Sequence, residues 1–212
     1  MVDITRQDTG RAALPRADSV RARLLDGGML WVAWLRAPRR VGAVAPSGVR
    51  LASAMAREVP AGPGIVLELG GGTGSITAGL LFSGIPPAQL VVVERDVLLA
   101  RRLRARFPAC TVLCGDACRL SELLVEHGII APVKAVVSSL PLLSMDPASR
   151  ARVLRGVRKV LRQGGPLVQY TYGPGCPLPA RALRRGNVLA QRTALIWRNL
   201  PPASVWRFDP AS

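Results

Sequence analysis

The sequence predicts an α/β fold around a mostly parallel, doubly wound sheet that an antiparallel hairpin completes. Three observations predict it. From Ile65 onward, short apolar runs alternate with helix-length segments, the pattern of parallel strands joined by crossover helices. The first run passes straight into a glycine loop, Gly70-Gly71-Gly72-Thr73-Gly74. After Pro179 the rhythm changes, and two strand-like runs follow with a short link between them.

Taken in order, residues 1–18 are polar and mixed, and predict a flexible tail. Residues 19–36 predict a helix whose Val20, Leu24, Trp31, Trp34 and Leu35 share an apolar stripe; Gly27-Gly28 weakens its middle and Pro38 ends it. Pro46-Ser47 opens a second helix that runs to about Glu58. A Pro/Gly linker at 60–64 divides N-terminal amphipathic helices (19–60) from an α/β domain (61–212). Strands are predicted at 65–69, 90–93, 111–114, 133–137 and 167–172, with helices at 73–84, 96–106 and 147–162. Runs at 188–197 and 204–208 predict the hairpin, on an edge of the sheet.

Charge is unevenly spread. The chain has 212 residues and a net charge of +16. Residues 61–149 balance seven basic against seven acidic side chains, whereas 150–212 carry twelve basic and only Asp209 acidic. A neutral middle with basic flanks fits a catalytic unit facing a polyanion, either RNA or an anionic membrane. General arginine usage explains the arginine-for-lysine choice but not the missing acids. The spacing of Cys110, Cys114 and Cys118 matches no zinc motif, so free thiols and no metal are expected. The longest apolar run, 27–35, is well short of the ~20 residues a membrane-spanning helix needs.

The candidate site is built on strand ends. Gly70, Gly72 and Gly74, with Thr73, let the backbone approach a nucleotide-type ligand closely. Glu68, just before the loop, would repel a pyrophosphate but attract the cationic amino group of S-adenosylmethionine. Glu94 ends the second strand, where a carboxylate's two oxygens suit a ribose diol. Asp116, after the third strand, is placed for an adenine amine. Arg95 and Ala117, beside these acids, join the cofactor set. Three acids ending three successive strands say more than one glycine loop, for which NAD binding or chance is the plain alternative.

These residues resemble class I methyltransferases, with their Rossmann-like seven-stranded sheet. One branch is especially similar, the bacterial phosphatidylethanolamine N-methyltransferases. The resemblance runs from about Trp31 to Phe208 through RAPRRVGAVAPSG (36–48), LELGGGTGSITAGLL (67–81), VVSSLPLLSM (136–145), LVQYTYGP (167–174) and IWRNLPPASVWRF (196–208). It implies S-adenosylmethionine as cofactor, S-adenosylhomocysteine as product, and stepwise methylation of phosphatidylethanolamine toward phosphatidylcholine. It also implies a peripheral protein on the inner face of the bacterial cytoplasmic membrane.

An RNA adenine-N6 methyltransferase is the rival reading, and nucleic acid is a partner only under it. That class carries Asn/Asp-Leu-Pro-Tyr/Phe after the fourth strand; here the segment is Ser139-Leu140-Pro141-Leu142, without the stacking aromatic. Another amine lipid, such as an ornithine lipid, is a further acceptor. A silent binding module would not need acids at 68, 94 and 116. Ser138 is expected at the cofactor and Ser139 at the reacting amine, against the alternative of a plain turn. Tyr170 and Tyr172, the only tyrosines, alternate onto one face of the fifth strand. They are expected to hold the head group and the methylated cation, although two core tyrosines would look the same. His127 reads as a surface residue. Ser47 is expected near the cofactor. Trp31, Trp34, Arg36, Arg39 and Arg40 are expected to meet the bilayer, unless the tryptophans pack onto the domain.

Overall fold

The computed structural model describes residues 46–197 and 202–211. The expected helix at 19–36 and the residues expected to meet the bilayer, Trp31, Trp34, Arg36, Arg39 and Arg40, lie outside the described residues.

Seven strands form one sheet, ordered β3-β2-β1-β4-β5-β7-β6. β1 (Ile65–Leu69), β2 (Leu90–Glu94), β3 (Thr111–Cys114), β4 (Val133–Ser138) and β5 (Leu167–Tyr172) are parallel. β7 (Ala203–Pro210) runs antiparallel to β5, and β6 (Val188–Ile196) antiparallel to β7. The predicted hairpin is therefore present, with its second strand on the inside. Every residue of β1 and β4 is buried, as is most of β2. Helices cover both faces, which is why these strands read as continuous apolar runs rather than alternating ones.

One face packs against α1 (Pro46–Ala56), α2 (Ser75–Phe82) and α3 (Val97–Arg106), burying Met55, Val66, Leu80, Val92, Leu103 and Val168. α1 and α2 meet at Gly79, where any side chain would overlap Ala52. The other face packs against α4 (Leu120–Glu126) and α5 (Pro147–Val160), burying Leu67, Leu120, Leu124, Val136, Val157 and Phe208. α6 (Ala180–Gly186) lies over β6 and buries no residue fully.

Helix starts follow the caps in the sequence. Asp96 accepts from the Leu99 amide, and Asp146 accepts from the Ser149 amide with Pro147 in the first turn. α4 and α6 were not expected from the sequence. α4 is two turns long and anchored by Leu120, Leu123 and Leu124, a spacing too short for a periodic signal to stand out. At the opposite edge of the sheet from the glycine loop, the buried Lys134 ammonium donates to the Gly62 carbonyl at 2.6 Å and to Gln89 Oε1 at 2.9 Å. Desolvation, and then the charge of Arg162, lower its pKa.

Candidate active site

The register sets strand ends side by side: Leu69 pairs with Val93 and Ser138, and Ser138 with Gln169. The loops that leave these ends share one edge, as ligand sites of open α/β sheets do.

The glycine loop bends over the end of β2. The Gly70 and Gly71 amides both donate to the Val93 carbonyl, at 2.8 and 3.3 Å. Gly70, Gly72 and Gly74 take φ of 80°, 54° and 82°, in the left-handed region that favours glycine. Gly71 is required for a different reason. A Cβ there would lie 2.5 Å from Val92 Cγ1 and 2.8 Å from Leu103 Cδ1. Thr73 is exposed, and its carbonyl accepts from Arg106 at 2.9 Å.

Glu94 is tied to this loop. Its Oε2 accepts from the Gly72 amide and its Oε1 from the Asp96 amide, both at 2.8 Å. Each oxygen keeps a second acceptor position, so the carboxylate presents two adjacent acceptors in a fixed orientation. Arg95, next to it, is exposed. Asp116 is exposed at the end of β3; its Oδ1 accepts from the Cys118 amide at 2.8 Å, and Ala117 beside it is buried.

Glu68 is 0% exposed, and neither carboxylate oxygen has a hydrogen-bond partner among the described residues. Burial pushes its carboxyl up to about 8. Thr77 on α2 pulls the other way without reaching full hydrogen-bond geometry, and Glu94 adds a small upward push. A buried carboxyl without a partner stays protonated near neutral pH unless a cation is brought to it. This orphaned acid, beside a loop whose backbone approaches closely and a two-acceptor carboxylate, fits the amino group and ribose of S-adenosylmethionine.

A second polar cluster lies where β4 and β5 end. Ser138 is buried, and its Oγ accepts from the Leu140 amide at 3.3 Å. The Ser139 amide donates to the Leu69 carbonyl at 2.8 Å, while its Oγ is buried without a partner. Gln169, 1% exposed, donates from Nε2 to the carbonyls of Leu140 (3.0 Å) and Tyr170 (2.6 Å). Its Oε1 is buried and unpartnered. Gln169 had no role in the sequence expectation, yet a lone amide inside an apolar strand was the available signal. Tyr170 and Tyr172 meet edge to face, ring centroids 5.4 Å apart at 83°. Burial, then Tyr172 and finally Glu68, drive the Tyr170 hydroxyl far above the usual phenol range, so it keeps its proton.

Ser47 is the second residue of α1. His127 caps the far end of α4, with Nδ1 2.9 Å from the Leu123 carbonyl, remote from these clusters. The four cysteines are free, and the described residues contain no group of three or more metal-ligating side chains.

A methyltransferase domain model matches residues 66–165. The chain is 33% identical over 172 residues to an ornithine lipid N-methyltransferase of Singulisphaera acidiphila, covering 78% of this chain and 86% of the relative. It is 35% identical over 153 residues to ribosomal RNA small subunit methyltransferase A of Anaeromyxobacter dehalogenans, which covers 66% of this chain but 52% of that relative, about half its length. Among solved structures, the Burkholderia thailandensis 1,6-didemethyltoxoflavin-N1-methyltransferase with bound S-adenosylhomocysteine shares the fold. Its TM-score is 0.62 at 16% identity, over 96% of this chain and 94% of that one. Likeness to a named methyltransferase over most of both sequences is a statement of kinship, and the chain belongs to the class I S-adenosylmethionine-dependent methyltransferases.

Proposed function

We propose that the chain transfers methyl groups to the primary amine of a membrane lipid head group, either phosphatidylethanolamine or an ornithine lipid. The observation that carries a lipid over a nucleic-acid reading is Leu142. It stands where the adenine-N6 class has its stacking aromatic, and it is 2% exposed, committed to the core. A base flipped into this site would lose the ~1–3 kcal/mol that stacking supplies. The Singulisphaera relative supports a lipid amine, and the resemblance through 36–48, 136–145 and 196–208 supports phosphatidylethanolamine.

In this reading the bound cofactor supplies an electrophilic methyl on a sulfonium, and the chain holds donor and amine in line. Glu68 ionises against the cofactor's ammonium. Glu94 accepts the ribose hydroxyls, Asp116 accepts from the adenine amine, and Gly70, Gly72 and Gly74 give the backbone room. Ser138, Ser139 and Gln169 Oε1 offer acceptors to the lipid ammonium, whose proton passes to bulk water before the amine attacks. Tyr170 acts as ring and donor, since its raised pKa rules it out as a base at neutral pH. The Tyr170–Tyr172 pair holds the methylated cation by cation–π attraction. Trp31, Trp34, Arg36, Arg39 and Arg40 seat the protein on an anionic bilayer, at the inner face of the cytoplasmic membrane.

The test is transfer of labelled methyl groups to vesicles of phosphatidylethanolamine with phosphatidylglycerol, to vesicles of ornithine lipid with phosphatidylglycerol, and to total RNA. Label in either lipid supports the proposal and names the head group. Label in RNA alone refutes it.

A further inference from the structure

A cleft of about 340 Å³ lies between α5 and α6. Leu167 and Phe208 floor it, Leu154 and Leu161 wall it on the α5 side, and Ala182 and Leu183 wall it on the α6 side. Leu167 opens β5, and Phe208 is opposite it on antiparallel β7. Tyr172 ends the same β5 strand, about 17 Å away at ~3.3 Å per residue. The cleft therefore lies at the other edge of the sheet from the methyl-transfer site.

Its chemistry is that of an amphiphile site. The volume falls in the ~300–1,000 Å³ range of small-molecule pockets, and the interior is aliphatic and aromatic. The mouth is cationic, with Arg158 and Arg162 of the α5 end exposed on its rim. The one acid in the lining, Asp209, is taken by Arg207, whose Nε and Nη2 donate to its two oxygens at 2.8 and 2.9 Å. Among the described residues, Arg158 and Arg162 have no acidic partner. An apolar slot whose rim carries unpaired guanidinium groups matches an acyl chain ending in a phosphate, which arginine binds with paired hydrogen bonds.

We propose that this cleft takes one acyl chain of an anionic phospholipid, with Arg158 and Arg162 on its phosphate, and so fixes the α5–α6 face to the bilayer. The site does not depend on which amine accepts the methyl group.

The full chain is titrated calorimetrically, without methyl donor, against 1-myristoyl-lysophosphatidic acid and 1-myristoyl-lysophosphatidylcholine below their micelle-forming concentrations. One molecule of the anionic lysolipid is expected to bind per chain, at least tenfold more tightly than the zwitterionic one. Ala182→Trp fills the slot and is expected to weaken binding of both at least tenfold. The exposed pair Arg158→Ala, Arg162→Ala leaves the fold intact and is expected to weaken only the anionic probe, about tenfold. S-adenosylhomocysteine affinity is expected to stay unchanged in both variants. No saturable binding, equal binding of the two lysolipids, unchanged affinity for the anionic probe in the arginine variant, or displacement of the probe by S-adenosylhomocysteine would overturn the proposal. So would a dimer that Ala182→Trp disrupts in protein that binds no lysolipid, since the cleft would then belong to a second copy of the chain. Because no methyl transfer is measured, failure here is separate from failure of the methylation assay.

Discussion

The backbone amide of Gly72 donates to Oε2 of Glu94 at 2.8 Å, across 22 residues of sequence. The glycine loop and the acid that ends β2 are thus one unit, and the acid's orientation is set by the loop it serves. Glu94→Gln is expected to weaken S-adenosylhomocysteine binding about tenfold or more, because hydrogen bonds to a charged group contribute ~1.5–3 kcal/mol each. The new amide also points an N–H at one of two backbone amides. Titration calorimetry reads the effect, and an unchanged Kd removes Glu94 from the cofactor site.

Glu68 makes stability and cofactor binding depend on pH in opposite senses. The folded chain holds the Glu68 proton up to about pH 8, against 4.5 for the ordinary carboxyl. Below 4.5 the proton is bound in both folded and unfolded chain, so no penalty exists. Between 4.5 and 8 folding loses ground as pH rises, and above 8 the whole penalty is present. Glu68→Gln is therefore expected to raise the Tm of the ligand-free protein at pH 9 and to leave it nearly unchanged at pH 5. A gain of the same size at both values refutes the account. The same variant is expected to lose cofactor affinity, and wild-type binding near pH 7 is expected to release a proton, seen as a buffer-dependent heat.

Gly71 and Gly72 separate room from backbone conformation. Gly71→Ala drives a methyl into Val92 and Leu103, and overpacking of this kind costs about 1–3 kcal/mol. For a chain of this size that lowers Tm by roughly 2–4 °C per kcal/mol. Gly72→Ala meets nothing nearer than the Gly70 carbonyl oxygen, at an ordinary 4.0 Å, and has the left-handed φ to bear, about 1–2 kcal/mol. A Val92→Ala change is expected to restore part of the Gly71→Ala loss and none of the Gly72→Ala loss. Thermal unfolding of the double variants decides it.

The tyrosine pair is expected to act on turnover rather than on donor binding. Tyr172→Phe keeps the ring, and its S-adenosylhomocysteine affinity should match wild type while methyl transfer slows. Tyr172→Ala removes the ring and with it a cation–π contribution of ~0.5–2 kcal/mol. Trimethylated product should fall more than monomethylated product. Equal loss at all three methylation steps, resolved by mass spectrometry, refutes a cation-holding role.

The parts of this molecule that the sequence disclosed are those in which one residue type has one physical use. Five parallel strands were legible because burial on both faces leaves a run of mostly apolar side chains in each. Gly72 and Glu94 were legible because a left-handed turn and a two-acceptor group are written in the residue itself. Gln169 was not, because its use depends on the Leu140 carbonyl, 29 residues away in sequence. α6 was not, because it buries no residue and so leaves no apolar period to read. Gly71 had no role in the sequence reading, and only the packing of Val92 and Leu103 shows that it is needed for space.

β7 follows β6 in the chain yet sits between it and β5. All of β6's ladder partners are on β7, so its order is wholly borrowed. β6 reaches the sheet only through β7, whereas β7 is held by ladders on both sides. Amide exchange should follow that hierarchy: β6 opens to solvent alone and often, whereas β7 opens only when the whole outer third of the sheet lets go.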